Sequence, residues 1–128
     1  MYTFYKFKTR GIGLISTQFI KKDTYLGDYY SKEISSSPTT RHVFDGWIET
    51  DPLGRYLNHS INCNTYLLPD TYRVKLYSLT DIQVNTEVTV NYLKVGESIN
   101  LPDDIRRRYK IFEYPYIEEE IILDKYTI

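Results

Sequence analysis

Cysteine is almost missing from this chain: Cys63 is the only one in 128 residues. One thiol cannot close a disulfide within the chain, and it cannot build a cysteine zinc cluster. Histidine is nearly as scarce, with only His42 and His59, so a multi-histidine metal site is not expected and no metal is assigned. Neither sign of charge dominates: 16 Lys and Arg against 17 Asp and Glu leave a formal net charge of -1. That balance argues against a general electrostatic grip on nucleic acid, and no direct binding is expected. No apolar run is long enough to cross a bilayer, so no membrane is expected. Residues 1–10 alternate aromatic and basic side chains where a secretory leader would carry an apolar stretch. The expectation is one soluble, intracellular domain, nuclear or cytoplasmic, large enough to bury a core without metals or disulfides.

Tyrosine is abundant, at 14 residues, and with Ile, Val and Thr it leans the fold towards β structure. Alternation predicts strands over Tyr2–Phe7, Leu14–Phe19, within Thr24–Ile34, around Val43–Thr50, over Tyr66–Leu68, over Tyr72–Tyr77 and over Glu87–Tyr92. Many short strands with polar turns between them predict a mainly antiparallel β domain. After Gly96 the character changes. Pro102, Asp103 and Asp104 make a helix start, and Ile105, Tyr109 and Phe112 then share one helical face. Pro115 ends that helix.

Three segments carry candidate chemistry, and each has a plain alternative. Gly11-Ile12-Gly13 is a tight turn, or a backbone that approaches a ligand because it lacks Cβ atoms. It is not a dinucleotide fingerprint, because the third glycine and following helix are absent. Gly54–Asn64 packs Arg55, His59, Ser60 and three asparagines around Tyr56 and Leu57. Such groups need partners, so the segment is a hydrogen-bonded loop or is wrapped on a ligand. Ser60 lacks a glycine elbow, and no aspartate is placed to orient His59, which argues against Ser-His catalysis. Cys63 reads as a small buried hydrophobe. Tyr92 ends an alternating strand and is an ordinary tyrosine on that ground alone. Arg106–Arg108 reads most simply as a solvated helix face.

Taken in order, these segments resemble the SET domain of S-adenosylmethionine-dependent protein lysine methyltransferases. Gly11-Ile12-Gly13-Leu14, with Ile20–Asp23 and Leu26–Tyr29, looks like the family's glycine turn and its acid-Tyr strand. Arg55-Tyr56-Leu57-Asn58-His59-Ser60-Ile61-Asn62-Cys63-Asn64 is similar to R-F-[IL]-N-H-S-C-x-P-N. Asp81–Tyr92 resembles D-I-x-x-G-E-E-L-T-x-D-Y. The chain departs from these patterns at Ile61, Cys63, Asn85, Ser31 and Asn91, and it lacks the cysteine-rich module that often follows the domain.

The resemblance implies a mainly β SET-domain fold of several small antiparallel sheets with a pseudoknot, plus a C-terminal helix. Residues 1–95 would form the core and residues 96–128 a helical extension packed on it. It implies S-adenosyl-L-methionine as cofactor, held by Gly11, Ile12, Gly13, Arg55, Asn58 and His59. Tyr92 would be the catalytic tyrosine at the inner end of a lysine channel. Tyr29, Tyr66, Val90, Tyr109 and Phe112 would line that channel, with Tyr72, Tyr114 and Tyr116 as further candidates. The substrate would be a protein lysine, on a histone tail or another protein. A minimal domain of this kind, like small viral versions, has a homodimer partner as one way to finish its site. The competing expectation is a non-catalytic SET-like module that binds a protein partner.

Overall fold

A computed structural model of the chain describes residues 1–8, 11–32, 41–102 and 104–105. Among the described residues nine strands and two short helices follow one another: β1 (Tyr2–Phe7), β2 (Gly11–Ser16), β3 (Tyr25–Ser31), β4 (Arg41–Phe44), β5 (Trp47–Glu49), α1 (Leu53–Tyr56), β6 (Asn58–His59), β7 (Thr65–Pro69), β8 (Arg73–Ser78), β9 (Glu87–Val90) and α2 (Tyr92–Ser98). They form a four-stranded sheet in the order β1-β2-β9-β6 and a five-stranded sheet in the order β4-β5-β3-β8-β7. Every pair is antiparallel except β6 with β9. The mainly β, antiparallel expectation therefore holds.

Alternation explains where the core sits. Along β8, Val74, Leu76 and Ser78 are buried while Arg73, Lys75 and Tyr77 are not, the period of two that a half-covered sheet imposes. From the other sheet Leu14, Val88 and Val90 meet Leu26, Leu53, Leu57, Ile20 and Ile82 in the same cluster. Buried hydroxyls stitch the loops to this core. Ser16 Oγ donates to the Gln83 carbonyl at 2.5 Å and accepts from the Thr86 amide at 3.0 Å. Ser78 Oγ accepts from the Thr24 amide and donates to the Lys21 carbonyl.

Gly54 of α1 lies against the backbone of β3, where a Cβ would stand 2.2 Å from the Tyr29 carbonyl oxygen. Only glycine lets α1 approach so closely, and that approach aims the chain leaving α1, residues 57–59, at β9.

The third motif differs from its expected form at its end. The strand stops at Val90 and Tyr92 is the first residue of α2. Asn91 is the reason: it is extended, and its side chain accepts from the Leu93 amide as an N-cap. Further on, Asp104 and Ile105 are helical and the Ile105 amide bonds the Pro102 carbonyl, at the start expected for the helix after Pro102. Tyr109, Phe112, Tyr114 and Tyr116 lie outside the described residues.

Candidate active site

Residues 57–59 are the centre of the site. Leu57 ends α1 with an extended backbone, and Asn58 and His59 then run parallel to Thr89 and Val90. The second and third motifs thus cross, as the pseudoknot expectation requires. The crossing is secured by side chains. Asn64 Nδ2 donates to the Glu87 carbonyl at 2.8 Å, and Asn64 Oδ1 accepts from the Thr89 amide at 3.0 Å. Thr65 donates its hydroxyl to the Thr89 carbonyl at 2.6 Å.

Adjacent strand residues point to opposite faces, and Asn58 and His59 show it. Asn58 Nδ2 donates to Glu87 Oε2 at 2.9 Å. A Cβ on Gly13 would stand 2.5 Å from that nitrogen and 2.9 Å from both Glu87 Oε2 and the Phe7 ring. Gly13 is thus fitted over the Asn58–Glu87 pair. Gly11 differs: its φ is +73° and the space where a Cβ would lie is open. Between them Ile12 is half exposed. The Gly11–Gly13 segment is therefore exposed at Gly11 and Ile12 and buried at Gly13, beside an amide and a carboxylate.

His59 turns the other way, onto Tyr92. Its Nδ1 accepts the Tyr92 amide at 2.8 Å, and the two rings lie 5.0 Å apart. Accepting at Nδ1 requires an unprotonated nitrogen there, which puts the neutral ring's proton on Nε2. Burial agrees, lowering the His59 pKa from 6.5 to about 4. Nε2 is buried with no hydrogen-bond partner among the described residues. The far end of Tyr92 is held as well, its hydroxyl donating to the Leu57 carbonyl at 2.8 Å.

Tyr29 and Tyr30 are buried near this centre, their rings edge to face at 4.9 Å. Burial raises the Tyr29 pKa well above its usual value, and Tyr30, Tyr92 and Glu49 push it the same way. Tyr30 is raised first by burial, then by Glu49 and Tyr92. The three phenols are close enough to feel one another, and Tyr29 and Tyr30 stay neutral.

Of the other expected site residues that are described, Val90 pairs with His59 and the rest lie apart. Tyr66 and Val90 line a groove of about 480 Å³ between β7 and α2, together with Cys63, Leu67, Lys94 and Glu97. The Tyr66 ring stacks on Tyr77 at 5.5 Å, and its hydroxyl donates to Asp23 at 3.1 Å. Tyr72 is exposed in the β7–β8 turn. Arg55 stands on α1, 3.9 Å from the Asp51 carboxylate and over the Tyr56 ring. Cys63 is only half buried, and its thiol points to the Thr65 carbonyl. Leu57, Asn64, Glu87 and Tyr30 joined the site without being picked from sequence. For Asn64 and Glu87 the signal was their place inside the two motifs. No group of three His, Cys, Asp or Glu side chains converges as a metal site among the described residues, and no helix there is long and apolar enough to cross a membrane.

The SET domain family model matches residues 11–93. Among solved structures, the methyltransferase domain of human histone-lysine N-methyltransferase SETMAR superposes with a TM-score of 0.54 at 22% identity, covering 78% of this chain and 46% of that one. An active polycomb repressive complex 2 in the basal state gives 0.54 at 20% identity, over 72% of this chain and 15% of the matched chain. The chain therefore spans less than half of either matched chain, and at these identities the likeness is one of fold. No curated protein sequence matches the chain.

Proposed function

The chain belongs to the SET-domain family, and from that premise we propose that it is an S-adenosylmethionine-dependent protein lysine N-methyltransferase. The observation that carries this reading is the double anchoring of Tyr92, through its amide to His59 and through its hydroxyl to Leu57, beside the Asn58–Gly13 contact. It fixes one phenol on one face of the Asn58–His59 strand, whose opposite face carries the Asn58 amide under Gly13.

Gly11, Ile12 and Gly13 would hold the cofactor through their backbone, with Asn58 and His59 beside them and Arg55 near. When bound, S-adenosylmethionine supplies a methyl group carried on a positive sulfur. The remaining task of the protein is alignment, because displacement at that methyl needs little covalent help. Tyr92 has its proton engaged by the Leu57 carbonyl, so towards a lysine nitrogen its oxygen acts as an acceptor. An N–H of the neutral amine donated there would turn the nitrogen lone pair away from the phenol and towards the methyl. Tyr92 serves as an orienting group rather than a strong base, because an ordinary phenol, with a pKa near ~10, is neutral at working pH. Tyr29, neutral and buried, would supply an apolar wall against which the target amine loses its charge. Tyr66, Val90, Tyr109 and Phe112 are proposed as the outer channel. Residues 1–95 are proposed as the core and residues 96–128 as an extension packed on it; Ile99, Leu101 and Ile105 joining the core cluster supports the packing, while the boundary falls inside α2. The substrate is proposed to be a protein lysine, with histone tails the first to try because of the histone methyltransferase neighbours. The place of action is proposed to be inside the cell, nucleus or cytoplasm.

The departures from the family pattern have structural reasons and do not favour a non-catalytic module. Asn85 adopts φ +60° where the family pattern carries glycine, a conformation Asn tolerates better than most residues. Asn91 caps α2, and Ser31 sits in regular strand pairing opposite Ile48 and Arg73. The test is a methyl-transfer assay on histone and non-histone proteins read by mass spectrometry, with calorimetry for the cofactor. Lysines heavier by one or more methyl groups are expected. Cofactor binding absent at millimolar concentration, with no transfer, would reject the reading in favour of the module.

A further inference from the structure

We propose that the His59 side chain is a positioning residue for Tyr92, fixing the phenol through an Nδ1 hydrogen bond, a task separate from holding a cofactor. Its kinetic consequence rests on the methyltransferase reading above; its structural content does not.

Tyr92 opens α2, and the first amides of a helix have no acceptor within it. Asn91 takes the Leu93 amide at 2.9 Å, and the His59 imidazole takes the Tyr92 amide at 2.8 Å. The Tyr92 hydroxyl returns to Leu57, two residues before His59. One three-residue stretch therefore holds both ends of Tyr92, and the rings pack at 5.0 Å with a 42° tilt between them. The phenol cannot swing without breaking one of these contacts. The opposite facing of Asn58 and His59 separates the two tasks: Asn58 lies under Gly13, while His59 lies on Tyr92. The unmet Nε2–H costs stability, so packing alone does not account for a histidine here. Burial favours the neutral ring, which is the form that can accept at Nδ1.

The test uses the full chain with ring-labelled histidine in nuclear magnetic resonance. His59 is expected as the Nε2–H tautomer at neutral pH; an Nδ1–H tautomer overturns the proposal. Two variants then separate positioning from cofactor contact. His59→Asn puts a carbonyl oxygen where Nδ1 stands, whereas His59→Gln puts its amide nearer the Nε2 position. His59→Gln is expected to lower kcat by about tenfold or more with little change in the cofactor KM, the pattern of a misplaced catalytic group. His59→Asn is expected to recover most of that loss and to retain the Tyr92 amide shift, which His59→Gln loses. Equal losses in both variants, or a raised cofactor KM with kcat unchanged, overturn the proposal. If the unmodified chain transfers no methyl group, the functional reading fails, and the tautomer and the Tyr92 amide shift still decide this one. Should His59→Gln not fold, the tautomer of the unmodified chain decides it.

Discussion

The Tyr92 hydroxyl donates to the carbonyl of Leu57, 35 residues earlier in the chain, at 2.8 Å. The contact runs from the first residue of a helix to the last residue before the Asn58–His59 strand, so it reports on the crossing of the two motifs. Tyr92→Phe removes that bond and the oxygen proposed to orient the lysine. The expected loss of stability is about 1 kcal/mol, the worth of one hydrogen bond. Methyl transfer is expected to fall by at least about a hundredfold, the scale of a lost aligning group. Melting curves and mass-spectrometric rates measure both. Full activity in a folded Tyr92→Phe protein removes Tyr92 from the mechanism.

Gly13 and Gly11 make a controlled pair. Gly13→Ala drives a methyl group into Asn58 Nδ2, Glu87 Oε2 and the Phe7 ring, and is expected to cost about 2 kcal/mol as overpacking. It also displaces the Asn58 amide, so cofactor affinity by calorimetry should fall about tenfold or more, as for loss of one good hydrogen bond. Gly11→Ala meets no atom within 4 Å, but it forces a side chain to φ +73°. The expected cost is about 1 kcal/mol of backbone strain. If Gly11→Ala proves the more damaging to stability, crowding beneath Gly13 is not what requires a glycine there.

Residues with local causes were legible in the sequence, and residues with distant causes were not. The alternation of β8 announced that strand because one of its faces is covered, whereas β1 was read as a strand although its central residues are all exposed. The same period misled at Tyr92: Val88, Val90 and Tyr92 alternate, yet the Asn91 cap starts a helix. Strand β6 is two residues long and its parallel partner lies about thirty residues away, so no window around Asn58 contains its cause. Asn58, His59 and Tyr92 could be picked out through their resemblance to family motifs. Leu57 could not, because it contributes a backbone carbonyl that every residue carries. Asn64 and Glu87 stood in the motifs, but only the folded crossing shows which groups they join.

Asn85 sits at φ +60° in the turn before β9. Asn85→Gly is expected to change stability by less than about 0.5 kcal/mol, because Gly's easier left-handed backbone is offset by its larger unfolded-state entropy. Asn85→Val should cost about 1–2 kcal/mol, since a β-branched residue is poorly accommodated there. Urea unfolding measures both. Equal stability of the two variants would show that the backbone relaxes out of this conformation.

His59 gives the fold a dependence on acidity with a definite sign. Its pKa is 6.5 in an ordinary setting and about 4 when buried here. Between those values the unfolded chain binds more protons than the folded one, so stability rises with pH across that interval. The contribution is fully present above about pH 6.5 and is lost as pH falls towards 4. Unfolding free energies from pH 4 to 7.5 should show this slope, and His59→Asn should remove its share. An unchanged slope in that variant assigns the acid sensitivity to carboxylates instead.

Asn64 bonds both the Glu87 carbonyl and the Thr89 amide, and so ties the second motif to β9 two residues before the strand turns into the Tyr92 helix. Asn64→Ala leaves a carbonyl and an amide without their partners, with an expected cost of about 2–3 kcal/mol. Asn64→Asp keeps an acceptor for the Thr89 amide but faces the Glu87 carbonyl with an oxygen in place of a donor. Its loss should therefore lie between those of the original chain and Asn64→Ala at neutral pH. Because β9 leads into the helix that Tyr92 opens, methyl transfer should fall in the same order. Urea unfolding followed by the Trp47 fluorescence, alongside the transfer rate, tests the ranking. If Asn64→Ala unfolds within about 0.5 kcal/mol of the original chain, the size of an ordinary surface change, the crossing is held by the β6–β9 pairing and the Thr65 hydroxyl without Asn64.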